Sequence, residues 1–261
     1  GRVLTWADAD CEPLLQSMPT GRPEPEPTAE ILPLPVATRR HSGLTLTTRA
    51  AAVRVAGVWG LLLHYTASGE RSMLANTSLV VTLRPYQVSP PWQAWREVGG
   101  IFPLHRLDAG EGFVRVNGLA ALLPCSAPER VLLGTWLQPD WALRLSTVGA
   151  ETGTRDPVVE DADGLAEAAC VWRLEPAAGG VSAHAVFVPF AGERATGDDW
   201  SAVLAALRER SAEHWLDAAA DSWRALHAGL PQAIHPAPLA ALMAVCRTAL
   251  AHILINRKGP A

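Results

Sequence analysis

From Leu44 onward apolar and polar side chains alternate in short runs. The pattern predicts strands over Leu44–Thr48, Val53–Val55, Trp59–Tyr65, Ser78–Arg84, Gly112–Asn117, Arg130–Trp136, Cys170–Leu174 and Val181–Val188, several of which alternate with period two. Gly, Pro, Asn, Asp and Ser separate the runs, and no helical period lies between successive strands. That order predicts antiparallel pairing and a large β-sandwich, because a parallel sheet needs a crossover helix after each strand. Ahead of these strands, Val3–Trp6 reads as a short extended piece. Residues 19–35 carry six prolines, including Pro23, Pro25 and Pro27. Proline fixes φ and removes a donor, so this stretch is expected to cross the surface in extended form.

Near residue 196 the period changes. Asp198 or Asp199 can cap a helix whose apolar stripe runs through Trp200, Val203, Leu204, Leu207, Trp215, Ala218 and Leu226, with Gly229 suited to its end. Pro236 and Pro238 open a further helix that places Leu239, Leu242, Met243, Cys246, Leu250 and Ile253 on one face. So much apolar surface is unfavourable on a terminal helix left alone, and an uncovered stripe of this kind is expected to drive association. The pattern therefore divides into a β-sandwich domain over 1–195, a linker helix over 196–232, and the first helix of a truncated helical domain over 233–261.

Composition changes this picture little. The chain has 261 residues, 49% of them apolar, and a net charge of −4. A phosphate-backbone binder needs a basic face, so no nucleic-acid partner is expected. The start carries no signal-type apolar stretch, and Arg247 and His252 interrupt the last helix. A soluble chain with no membrane partner is the expectation. Cys11, Cys125, Cys170 and Cys246 are far apart and form no C-x-x-C, so nothing points to zinc, a redox motif or another cofactor. Ten tryptophans serve equally as core fillers or as stacking surfaces for sugars.

No nucleophile elbow, phosphate loop, zincin helix or dinucleotide fingerprint is present. Glu160, Asp161 and Asp163 with Gly164 resemble part of a calcium loop but lack its third acidic position and closing glutamate, and read as a solvated turn. His64 and His184 sit inside strands and read as structural histidines. Glu97, Asp108 and Glu111 lie near loops, where an exposed acid is the ordinary outcome. Glycosidic hydrolysis needs two carboxylates across a cleft, and sequence places no such pair.

The richest segment runs from Arg84 to Trp95. A strand exits into Pro90 and Pro91, followed by Trp92 and Trp95 three positions apart. Trp92 and Trp95 can form a rigid aromatic platform for a sugar ring, with Arg84 and Gln87 as polar partners. They can also pack beneath a neighbouring domain, the commoner outcome for such a loop, and Arg84 and Gln87 are the polar partners in either case.

The run Arg84-Pro85-Tyr86-Gln87-Val88-Ser89-Pro90-Pro91-Trp92, with Gly99-Gly100-Ile101, resembles a stretch of large bacterial proteins of the six-hairpin glycosidase type. These are often described as discoidin or coagulation factor 5/8 type domain proteins. Leu4–Asp8 followed by Leu32–Val36, and Asn256–Ala261, are similar to two further stretches of such proteins. The resemblance covers nearly the whole chain and departs from the pattern at Lys258, where an aspartate is usual, and at Pro23–Pro27, which looks like an insertion. It implies a supersandwich of β-strands, a linker helix and the first helix of an (α/α)6 barrel. It further implies that the catalytic carboxylates belong to the barrel, so no catalytic residue carries over to this chain. What it implies for function is the non-catalytic N-terminal part of a glycoside hydrolase acting on a poly- or oligosaccharide, with the barrel as partner. The other reading is a non-catalytic carbohydrate-binding or scaffolding protein.

Overall fold

A computed structural model of the chain describes residues 32, 34–41, 43–85, 103–110, 112–135, 157–177, 179–190 and 197–228, together with 246 and 249. The expected strand at Val3–Trp6, most of the proline-rich stretch, Gly229 and most of the helix beyond Pro236 lie outside the described residues. Cys246, on that helix's expected apolar face, is helical and exposed.

The described part is mainly antiparallel β, with helices after the last strand. Strands β1 (Val36–His41), β2 (Leu44–Val55) and β3 (Val58–Ser68) follow one another as a meander, and the single-turn helix α1 (Arg71–Leu74) leads to β4 (Ser78–Leu83). Then come β5 (Arg106–Gly110), β6 (Phe113–Val116), β7 (Leu119–Pro124), β8 (Arg130–Thr135), β9 (Val158–Glu160), β10 (Ala166–Arg173) and β11 (Val181–Pro189). Helices α2 (Gly197–Glu209) and α3 (Ala212–Ala228) follow the last strand.

Eight strands form one sheet in the order β1-β2-β3-β11-β7-β6-β5-β9, and three form a second in the order β4-β10-β8. The late strand β11 lies between β3 and β7, pairing Val181 with Ser68 and Pro189 with Gly60. Two hairpin turns require left-handed backbone. Ala56 and Gly57 have φ of 47° and 89°, and Asn117 and Gly118 have φ of 50° and 83°. Positive φ at both central positions matches the right-handed twist of the flanking strands and fixes their register. Asn117 also ties its hairpin to the chain before β5. Its Oδ1 accepts the amides of His105 and Arg106, and its Nδ2 donates to the Pro103 carbonyl.

Alternation assigns each face of the large sheet to a different layer. One face contributes Leu44, Ala67, Leu107, Val114, Val116, Leu122 and Val186 to a cluster shared with Leu79, Leu133, Ala166, Ala168, Cys170 and Trp172 of the small sheet. The opposite face places Ala51, Val53, Val55, Leu62, Phe113, Leu123 and Phe187 against Trp200, Val203, Leu204 and Leu207 of α2 and Leu216 and Ala219 of α3. Each fully buried Leu, Val or Phe stabilises by about 1.5–3 kcal/mol, so these two clusters fix the order of the layers.

The helical segment is two helices, where the sequence predicts one. The break falls at Arg210 and Ser211, and the Ser211 hydroxyl accepts the His214 amide at 3.2 Å. That cap restarts the helix with a new phase. Leu216, Ala219 and Ala220 are buried in α3, and Ala218, on the predicted stripe, is exposed. Among the described residues no helix is long and apolar enough to cross a membrane.

Candidate functional site

The expected carbohydrate segment begins at the end of β4. Leu79 of that strand lies in the cluster between the sheets, with Val81 and Leu83 packed against it. The alternate row, Val80 then Thr82, points to the other face of the small sheet and brings Arg84 onto that face. The β4–β10 register pairs Leu83 with Ala168, which sets Arg84 opposite Glu167. On its other side Glu167 faces Gly134 of β8, which contributes no side chain to the space.

Glu167 is fully buried. Its neighbours along the row, Ala169 and Val171, pack with Leu132 and Val80 in a small apolar cluster. The carboxylate is met by Arg84, whose Nε and Nη2 both donate to Oε1 at 3.0 Å. Among the described residues Oε2 is buried without a hydrogen-bond partner. The Arg84 side chain keeps 36% of its surface exposed, so one end is held in the sheet and the other reaches the surface. Pro85, next in the chain, is buried. The stem of the Arg84–Trp95 segment is therefore fixed by an ion pair and a proline. Gln87, Trp92 and Trp95 lie outside the described residues, so of the four expected binding residues only Arg84 has a described position.

Sequence reading missed Glu167. The signal was a single charged residue in Ala-Glu-Ala-Ala-Cys-Val-Trp, a run otherwise fit for a strand buried on both faces. β10 is buried at every position except Arg173.

The other polar residues singled out by sequence are dispersed. His184 lies between two hydroxyls, Ser126 Oγ at 3.3 Å from Nδ1 and Ser182 Oγ at 3.4 Å from Nε2, with the Trp172 ring beside it. Burial holds this imidazole below its ordinary value, while Glu175 pulls upward and His64 downward. His64 is buried under α3, against Arg49 and Glu213. Asp161 Oδ1 accepts the amides of Asp163 and Leu165 at 3.0 Å, closing the turn that resembles part of a calcium loop. Glu160 pairs with Arg106. Asp108 is half-buried on β5, and Glu97 and Glu111 lie outside the described residues. Among the described residues no three His, Cys, Asp or Glu side chains come together as metal ligands.

At this site the Arg84 guanidinium is held to the sheet by its two bonds to Glu167, and the side chain is partly exposed. Comparison of the chain with protein-family models and with curated proteins found no match.

Proposed function

We propose that the chain is the non-catalytic β-rich part of a six-hairpin glycosidase-like protein acting on a poly- or oligosaccharide. In this reading the two sheets form a supersandwich that caps an (α/α)6 barrel, and the Arg84–Trp95 segment offers Trp92 and Trp95 to the sugar. The observation that supports it is the pairing of Arg84 with buried Glu167. It gives an aromatic segment a rigid stem, and a rigid platform loses less entropy when a ligand stacks on it. The strands-then-helices order and the three resembling stretches point the same way.

One observation favours the second reading, a carbohydrate-binding or scaffolding protein without a catalytic partner. Helices α2 and α3 already cover the outer face of the large sheet, so that face needs no barrel to bury it.

Calorimetry with a panel of oligosaccharides tests the platform. Trp92→Ala and Trp95→Ala are expected to weaken binding while the melting temperature stays nearly unchanged. If the tryptophans are packing residues, truncation costs roughly 3–5 kcal/mol of stability. A large stability loss with unchanged binding would remove the platform from the reading. The chain itself is expected to hydrolyse no aryl-glycoside, and turnover abolished by a single Asp or Glu substitution within it would overturn the non-catalytic role.

A further inference from the structure

The seam between α3 and the large sheet holds a three-residue polar cluster in which His64 is buried and Arg49 and Glu213 reach the surface. Arg49 of β2 and His64 of β3 are cross-strand partners. By alternation both stand on the face that carries Ala51 and Leu62, which is the face α3 covers. Glu213 reaches them from the first turn of α3. His64 is only 2% exposed.

The hydrogen bonds determine where the imidazole proton sits. Arg49 Nη2 lies 2.9 Å from His64 Nδ1 and donates to Glu213 Oε1 at 3.1 Å. His64 Nε2 lies 3.4 Å from the same carboxylate oxygen. A guanidinium can only donate, so Nδ1 accepts and the ring proton occupies Nε2, facing Glu213. The neutral ring satisfies both neighbours. A second proton on Nδ1 would point at the Arg49 N–H, ending that hydrogen bond and setting a cationic ring, itself buried, against the Arg49 guanidinium.

We propose that Arg49, His64 and Glu213 form a proton-operated latch, which holds α3 on β2 and β3 while His64 is neutral and releases it when the ring takes a second proton. The helix is the element that gives way. The strands are tied by continuous ladders, whereas α3 meets the sheet through side chains alone, Leu216 and Ala219 with the partly buried Ala212 and Trp215. Release would uncover the β2 and β3 rows around Ala51 and Leu62.

Burial is the main influence keeping His64 below its ordinary value of 6.5, with Glu213 raising it and Arg49 lowering it. A folded-state value below the free value means that the docked helix binds fewer protons than the released one. Docking is therefore complete above about pH 6.5. It weakens as pH falls, by up to roughly tenfold in the docking equilibrium per pH unit, until the docked ring itself is protonated. The neighbouring strand β11 sets Ala185 opposite His64. His184 stands on the other face of the sheet and is shifted in the same direction, so it is the necessary control. On α3, His214 pairs with Arg210 and His227 lies against Trp223.

Hydrogen exchange of the full chain at pH 7.5 and 5.5, corrected for the intrinsic rate, tests the latch. Amides of residues 212–228 are expected to lose protection at the lower pH while those of β3 and β11 keep theirs. His64→Gln retains an acceptor and a donor without a titrating proton and should abolish the response, whereas His184→Gln should leave it intact. A response unchanged in His64→Gln, or no response in the parent, overturns the proposal. The ring signal of His64 gives an independent reading by NMR. Its midpoint should lie below 6.5 and fall further in Glu213→Gln, where the one raising influence is removed. A midpoint at or above 6.5 would also overturn it.

Discussion

Replacing Arg84 by methionine removes the only cation hydrogen-bonded to Glu167 among the described residues. The carboxylate stays fully buried, with Ala169, Val171 and Leu132 along its face and Gly134 opposite. It would lose both hydrogen bonds to Oε1, and Oε2 already lacks a partner among the described residues. A hydrogen bond to a charged group contributes about 1.5–3 kcal/mol, and stranding one member of a buried ion pair costs about 3–5 kcal/mol. Arg84 is partly exposed, so its own desolvation contributes little, and the cost falls on Glu167. The expected loss for Arg84→Met is therefore about 3–5 kcal/mol, a large share of a typical domain stability of about 5–15 kcal/mol. Glu167→Leu alone should be milder, because the freed guanidinium can turn to solvent. The double variant should recover much of the loss of Arg84→Met, since an apolar pair replaces a desolvated one. Urea titrations followed by circular dichroism on all four proteins close the cycle. A loss below about 1 kcal/mol for Arg84→Met would refute the reasoning. It would mean that the pair behaves as a surface salt bridge and that the stem of the aromatic segment is not held by it.

Two further outcomes follow from packing and burial. In Gly60→Ala the new methyl carbon would lie 2.4 Å from Phe187 Cζ and 2.6 Å from the Val188 carbonyl oxygen. Phe187 is fully buried and cannot step aside, so a loss of at least about 1–3 kcal/mol is expected, and a thermal melt within a degree of the parent would show that the ring has room. The thiols of Cys125 and Cys170 are both pushed up to about 12 by burial, against a smaller opposing pull of Arg208 on Cys125. Thiolate is the reactive form, so at pH 8 iodoacetamide should leave both unmodified in the folded chain while labelling exposed Cys246, and should label all three in urea. Labelling of Cys170 at the rate of Cys246 in the folded chain would contradict its burial.

Strands with apolar–polar alternation, or with clear flanking turns and β-branched or aromatic content, are legible in the sequence. Trp59–Tyr65 and Val181–Val188 were read because their flanking turns and β-branched or aromatic content agree with a strand. Leu44–Thr48 and Val53–Val55 are one strand, since Arg49 to Ala52 bridges them despite three alanines of low strand propensity. β7 escaped because Leu-Ala-Ala-Leu-Leu carries no period of two, and β1 because Thr38, Arg39 and Arg40 are the polar residues of an edge strand. The helix break at Arg210 and Ser211 is a local capping choice that a smooth apolar stripe conceals. Arg84 was legible from its place at the end of a strand. Its partner was not, because Glu167 lies far along the chain and only the β4–β10 register brings the two together.

The insertion of β11 between β3 and β7 sets an order of assembly. β1-β2-β3 and β7-β6-β5-β9 are two half-sheets built mainly from near neighbours in the chain, and within the large sheet β11 is the strand that joins them. During synthesis both halves emerge with an open edge, and neither edge can be closed until Val181–Pro189 has left the ribosome. Unpaired edges of apolar strands are templates for pairing with other chains, and long-range closure is slow. Nascent chains halted between β9 and β11 are therefore the vulnerable species, with Leu61, Leu62 and Leu63 along one open margin. A pause in translation after Val181–Pro189 has emerged from the ribosome would protect this protein, and one before it has emerged would expose it to aggregation.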